Sequence, residues 1–528
     1  MHINCLNLHL KCLSLHLINA SIARIQFILC IKMDIFDYRT KNNLTQQELA
    51  KILGVSNITI SKWENGVVKP SQKFLQKLNS SENKKVLAVR PFRPIQYLGS
   101  KLKLLNDIEM LTQKVAINDN FCDLFSGSGV VSHYMSHQYN VIACDIQNYS
   151  SILCSALIKE SKISLETINT IIDNIKEQYS NLPDALKLLI NYEKNLIEDS
   201  TDNKNKLLVN FSNNASLYIN KANPTQLCHS DKDLEKIIND VINFKGYEFY
   251  QIFNLYGGVY FSYEQSILLD LIRQYIENSD YDVHSKKMLI ACLLSSASDI
   301  VNTVGKQFAQ PMKITDKLGN IKKLQYTRTV QNKRLNVLEK FSDAFISFND
   351  AQKNTSSNEH KIFCSDVFQF LDEYKGEIGC FYADPPYTID HYSRFYHVLE
   401  TIALYDNPSF SWMKKKGKLE IMNGLYRTDR YQSEFSVPSL APHAFEKLFD
   451  KCSKFNTPLI LSYSPFNEQN NDRPRLLTQH EIEKLALKYY SKVTIVEVSN
   501  HKHRKLHSTN KNIEEIQSGE IFIVCEMM

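Results

Sequence analysis

Apolar positions along the chain fall into two periods. Short, mostly apolar runs read as buried strands: Asn120-Phe121-Cys122-Asp123, Val141-Ile142-Ala143-Cys144-Asp145, Ile362 to Asp366, Ile378 to Ala383, Leu459 to Ser464 and Ile521 to Cys525. Between the second and third runs, Tyr149 to His360 reads mostly helical with Asn/Lys-rich interruptions, and Leu289 to Ser298 is its most apolar helix. The front of the chain has the helical period alone. Thr45-Gln46-Gln47-Glu48 is a capping-box pattern that predicts a helix over Thr45 to Leu53, with Leu49, Ala50 and Leu53 on one face. Gly54 ends it, and Ser56 is placed to cap a second helix reaching Glu64. That second helix turns Ile60 and Trp63 inward and leaves Asn57, Thr59, Ser61 and Lys62 outward.

The expected organisation is a leader over residues 1–32, a small helical domain over 33–78, a linker over 79–92, and a catalytic body over 93–148 and 361–528 interrupted by the 149–360 insertion. Length agrees, since 528 residues suit two to four domains. The leader carries Cys5, Cys12 and Cys30 and no acid, and lacks an uninterrupted apolar core with a cleavage site. It is read as a misassigned start or a disordered segment, because Met33 opens a domain-like pattern at once.

Charge and cysteine usage narrow the function classes. A net charge of +5 permits a polyanionic partner without demanding one, so any nucleic-acid surface has to be a local patch. The 12 cysteines are scattered without a C-x-x-C pair or a His/Cys cluster at zinc spacing, which predicts reduced thiols, a cytoplasmic protein and no metal site. No stretch has the roughly 18 uninterrupted apolar residues of a membrane span, so no membrane partner is expected.

The candidate chemistry sits at the ends of the strands. Asp384-Pro385-Pro386-Tyr387 follows the run Ile378 to Ala383. Asp384 and the carbonyl of Pro385 are placed to accept the two N–H bonds of a planar amine such as that of adenine or cytosine. Prolines fix φ and remove competing donors, and Tyr387 offers a face for an extruded base. An ordinary turn after a strand is the plainer alternative. Upstream, Asp123-Leu124-Phe125-Ser126-Gly127-Ser128-Gly129 runs from a strand into a glycine turn that lets backbone approach a ligand, and Asp145 ends the next strand where a carboxylate binds ribose hydroxyls. A helix cap is the alternative for Asp145.

These pieces, with Tyr97-Leu98-Gly99-Ser100-Lys101 ahead of them, resemble the Dam-type (alpha-class) adenine-specific DNA methyltransferases. The stretch from Leu44 to Ser71 resembles the XRE-type helix-turn-helix. The resemblance implies an α/β fold, with a Rossmann-like methyltransferase sheet, a large mostly helical insertion holding the target-recognition region, and a small all-α helix-turn-helix domain in front. It implies S-adenosylmethionine as cofactor, bound by Tyr97, Lys101, Asp123, Phe125, Gly127, Gly129, Asp145 and Asp366. It implies double-stranded DNA as substrate, with adenine held by Asp384, Pro385, Pro386 and Tyr387, and a cognate restriction endonuclease as a further partner. Asp rather than Ser before Pro-Pro favours adenine N6 over cytosine N4.

Expected DNA contacts are Asn57, Thr59 and Lys62 on the second front helix, Lys306 in the Asn302 to Phe308 loop, Arg394, and a phosphate clamp of Lys502, Arg504 and Lys505. Helix termination is the competing reading of the 302–308 loop. The basic run Lys313, Lys317, Lys322, Lys323, Arg328, Lys333 and Arg334 reads either as a phosphate track or as a solvated face. The rival function is a DNA-binding transcription regulator whose methylase body is inactive; an intact set of Gly127, Gly129, Asp145, Asp366, Asp384 and Tyr387 argues against it.

Overall fold

The computed structural model describes Arg39 and residues 45–53, 55–64, 92–198, 202–227, 231–353, 359–389, 392–464, 476–498 and 520–527. The leader, residues 79–91 of the linker, and Lys502, Arg504 and Lys505 lie outside the described residues. The chain divides into two compact units at Arg90/Pro91.

In the front unit the two expected helices span Gln46–Leu53 and Asn57–Glu64. Ser56 starts the second, its hydroxyl oxygen accepting from the Thr59 amide at 3.2 Å. Leu49, Ala50, Ile60 and Trp63 are buried. Glu64 closes the pair, taking hydrogen bonds from Gln46 at 2.6 Å and from Arg39.

Among its described residues the second unit has nine strands: β1 (Asn120–Asp123), β2 (Asn140–Asp145), β3 (Lys361–Cys364), β4 (Cys380–Ala383), β5 (Trp412–Lys415), β6 (Lys418–Ile421), β7 (Leu459–Tyr463), β8 (Lys492–Glu497) and β9 (Ile521–Glu526). Seven form one sheet in the order β3-β2-β1-β4-β7-β9-β8, while β5 and β6 make a separate antiparallel hairpin. The pairs from β3 through β7 are parallel, and β9 runs antiparallel to both neighbours. This is a mostly parallel, Rossmann-like sheet.

The apolar runs follow from burial on both faces. Along β7, Leu459 and Leu461 join one core cluster while Ile460 joins the other; along β4, Cys380 and Tyr382 face one way and Phe381 and Ala383 the other. The first cluster continues into the helical insertion, so sheet and insertion share one core. Helix Val283–Ile300 is buried nearly all round and packs on helices Asn148–Ile158 and Val337–Gln352. Each leucine it buries contributes about 1.5–3 kcal/mol. The expected boundary at Tyr149 falls inside helix Asn148–Ile158, which packs on β2 and β3.

This topology fixes where a ligand belongs. From β1 the chain moves outward to β2 and β3, then returns to the other side of β1 as β4. Carboxyl ends of β1 and β4 therefore flank a reversal of strand order, the place where open α/β sheets open a crevice. Asp123 ends β1, and Asp384 is the residue after β4.

Candidate active site

Asp384 emerges at that crevice with its side chain 21% exposed and meets a buried ammonium: Lys101 Nζ lies 3.1 Å from Asp384 Oδ1. The same ammonium lies 2.8 Å from Glu520 Oε1 and 3.3 Å from the Gly99 carbonyl oxygen, so three acceptors surround its three N–H bonds. Glu520, which leads into β9, also accepts from Ser462 at the end of β7 at 3.1 Å and from the Tyr387 hydroxyl at 3.4 Å. Tyr387 stands edge-on to Tyr463 at 5.3 Å between centroids. Burial pushes the Asp384 carboxyl up; Lys101 pulls it back and Glu520 adds to the rise, leaving it at about 6. Burial works against the Lys101 charge, and Asp384, Tyr387 and Glu520 more than offset it, so its pKa is raised.

From Asp384 one cleft runs to Asp145, the last residue of β2, and to Asp366, which follows β3. Tyr97, Phe125 and Tyr392 supply apolar walls. Tyr97 stacks on Tyr396 at 4.9 Å, and Phe125 meets Phe435 edge-on. The Asp145 oxygens accept from the Gly127 amide at 2.8 Å and the Gln147 amide at 2.9 Å, which fixes the carboxylate. Asp366 accepts from the Phe368 amide at 2.9 Å, capping the next helix, and from the Tyr431 hydroxyl at 3.0 Å.

Comparison with known proteins decides the family. The model of the D12 class N6 adenine-specific DNA methyltransferases matches residues 97–247 and 314–438, a little over half of the chain. The chain belongs to this family. A helix-turn-helix model matches residues 35–80 in front of it. Among curated proteins the chain is 24% identical to the modification methylase LlaI of Lactococcus lactis subsp. lactis, over 80% of this chain and 53% of that protein. It is 25% identical to the type II methyltransferase M.NlaIII of Neisseria lactamica, over 65% of this chain and 77% of that protein. It is 23% identical to the modification methylase StsI of Streptococcus sanguinis, over 79% of this chain and 49% of that protein. The chain thus spans about half the length of LlaI and StsI.

In this family member the structure redistributes several expected roles. Tyr97, Phe125, Asp145 and Asp366 line the cleft with Asp384 and Pro386. Asp123 does not reach it: its carboxyl is buried beneath the glycine turn, where Oδ2 accepts from Ser132 at 2.7 Å. Burial, opposed by that hydrogen bond and reinforced by the Asp384 charge, pushes it up to about 7. The two glycines are packed too closely for a side chain. A Cβ on Gly127, at φ +51°, would meet the Tyr97 ring at 2.8–2.9 Å, and one on Gly129 would meet Leu157 at 2.9 Å. Lys101 pairs with the Asp384 carboxylate and is not itself among the cleft-lining residues.

Of the expected DNA contacts, Asn57 and Lys62 are exposed, while the Thr59 hydroxyl shares a 2.8 Å hydrogen bond with Ser56. Arg394 lays its guanidinium over the Tyr426 ring at 4.7 Å, and Arg430 occupies the same ring at 5.1 Å. The basic run is partly structural: Lys333 is buried against Glu193 at 2.5 Å, and Arg334 donates to the Ile197 carbonyl oxygen at 2.7 Å. Glu520 escaped sequence reasoning. Its one signal was an acid placed directly before the apolar run Ile521 to Cys525, which reads as a strand boundary and nothing more.

Lys306 calls for the clearest correction. Its ammonium donates to the carbonyl oxygens of Asp299 at 2.6 Å and Val301 at 3.1 Å and to Asn332 Oδ1 at 2.9 Å. The first two are end carbonyls of helix Val283–Ile300, so the residue terminates a helix and has no donor left for a phosphate. Lys306→Ala is expected to cost about 1–2 kcal/mol of stability and to leave the salt dependence of DNA binding unchanged. A drop of about one in the slope of log K against log salt would restore the phosphate-contact reading.

Proposed function

We propose that this chain transfers a methyl group from S-adenosylmethionine to the N6 amine of an adenine flipped out of duplex DNA. The observation that carries the reading is that one cleft joins Asp145 and Asp366 to Asp384 and Pro386. A cofactor's nucleoside end and a planar amine would then meet inside one cavity at the reversal of strand order.

The residues present suit that cofactor. Asp145 presents a fixed carboxylate for ribose hydroxyls, Asp366 stands in the cleft for a base amine, and Tyr97 and Phe125 give apolar faces. When bound, the cofactor supplies an electrophilic methyl on a sulfonium.

The remaining work falls to the chain. Asp384 and the carbonyl of Pro385 accept the two N6–H bonds, which draws the nitrogen lone pair out of conjugation and aims it at the methyl. Tyr387 offers its ring face to the flipped base. On taking the methyl group that the bound cofactor would supply, N6 would become cationic, and the Asp384 carboxylate is placed to receive one of its protons. Orientation at roughly 3–3.5 Å accounts for the rest, with no covalent enzyme intermediate.

Duplex DNA is the proposed partner, approached by Asn57 and Lys62 of the front unit and by Arg394 beside the cleft. The relatives' names as modification and type II methylases support a restriction–modification role, with a cognate endonuclease as its counterpart. The test is transfer of a labelled methyl group from S-adenosylmethionine to duplex DNA, followed by nucleoside analysis. N6-methyladenine is the expected product. Tight DNA binding with no transfer to any duplex, including unmodified DNA from the native host, would favour the regulator reading.

A further inference from the structure

Lys101 raises a problem that its position makes acute. A lysine 3.1 Å from Asp384 should neutralise the carboxylate that the N6 amine needs as an acceptor. The second carboxylate resolves this. Glu520 holds the same ammonium at 2.8 Å, closer than Asp384 does, and its side chain is 4% exposed. It is itself held in place by the hydroxyls of Ser462 and Tyr387.

We infer that Glu520 is a positioning residue for methyl transfer: by pairing with Lys101 it leaves Asp384 the uncompensated carboxylate of a buried cluster whose net charge is −1, complementary to the charge that develops on N6. This inference rests on the methyltransferase reading, and it concerns a residue outside the stretches matched by the family model. A cluster of two carboxylates and one lysine is poorly stabilised when empty and becomes balanced as the amine turns cationic. That is the direction in which a preorganised site favours the transition state over the ground state.

The groups that face Asp384 come from several elements. Lys101 precedes the first helix of the unit, Glu520 leads β9, Asp123 ends β1, Tyr382 lies on β4 and Tyr387 follows in the same turn. Asp123 and Tyr382 are unchanged by a substitution at Glu520, and the Tyr387 hydroxyl still finds an acceptor in the side-chain oxygen that Glu520→Gln keeps. Glu520→Gln keeps the shape and removes one negative charge, so Lys101 falls wholly to Asp384, whose affinity for protons drops.

The experiment compares pH profiles of kcat/KM for the wild type and Glu520→Gln, alongside S-adenosylmethionine affinity by calorimetry. The expected result is a plateau lowered by roughly 10- to 100-fold, an acid limb moved down by about one pH unit, and cofactor affinity within about twofold. Glu520→Asp, which keeps the charge, should return most of the rate and the wild-type limb. An unmoved limb with an unchanged plateau would overturn the inference, as would equal losses in Gln and Asp variants with both limbs in place. A second readout needs no turnover. The stability difference between the wild type and Asp384→Asn, followed against pH, reports the titration of Asp384 in the folded chain, and this midpoint should fall when the cycle is repeated in the Glu520→Gln background. If the wild type methylates no DNA, the methyltransferase reading fails and the catalytic role falls with it, while the stability cycle still decides whether Glu520 sets the Asp384 charge.

Discussion

Asp384→Asn is expected to lower methyl transfer by on the order of 10²–10³-fold and, in the same protein, to raise thermal stability at neutral pH. The two effects have one cause. The carboxyl is held at about 6 in the folded chain, against an ordinary 3.8, chiefly by burial. A carboxyl raised in this way contributes stability that is complete below its unfolded pKa and is lost as pH rises through the folded one. At pH 7 the ionised Asp384 therefore costs about 3 kcal/mol, which a neutral amide of the same shape avoids. The gain should be small near pH 4, grow between pH 4 and 6, and level off above. Thermal denaturation across pH 4–8 checks the stability arm, and labelled-methyl transfer checks the other. If the Asp-Pro-Pro segment were only a turn after β4, the substitution would leave turnover intact and the stability gain would have no functional counterpart.

Most of the scaffold was legible because its strands are buried on both faces, and such strands write themselves as continuous apolar runs. Each of the six runs overlaps a strand, and the acids read at or just after their ends, Asp145, Asp366 and Asp384, line one cleft. Strand β8 was not read: Lys492 to Glu497 alternates with intermediate burial at the sheet edge and carries no run. The hairpin of β5 and β6 escaped too, since its residues are mostly exposed and its lysine-rich pattern matches neither period. Within the site, sequence placed residues by position along the chain and assigned direction by analogy. Directions are what the structure adds. Asp123 points down to Ser132, Lys306 turns back on the end of helix Val283–Ile300, and Lys101 turns to Asp384, each because a buried polar group must find its partners wherever packing puts them. Glu520 shows the opposite limit. It comes to Lys101 from the far end of the chain, across a sheet whose order is fixed by pairing, and no spacing in the sequence encodes that meeting.

Lys101→Met should be the most damaging single change in the second unit. Methionine keeps the straight, apolar stem, so packing is largely preserved, but two carboxylates remain buried beside each other without a cation. Breaking a buried pair in this way costs about 3–5 kcal/mol, and methyl transfer should vanish, since Asp384 and Glu520 would then share a proton at neutral pH and the amine would meet a neutral acceptor. The pH signature separates this from a general packing defect. Lys101 has its own pKa raised, so its contribution is present throughout the range below its unfolded value and is flat between pH 5 and 8. The two carboxyls, by contrast, would both be raised in the variant, and the stability they support would be intact near pH 4 and lost as pH rises. The gap between the wild type and Lys101→Met should therefore be narrow at pH 4 and widest above pH 7. Adding Glu520→Gln to Lys101→Met should recover a large part of the lost stability, a coupling that two independent packing defects would not show. A gap that is constant with pH, or a double variant whose losses simply add, would mean that Lys101 fills space and does not hold the two carboxylates together.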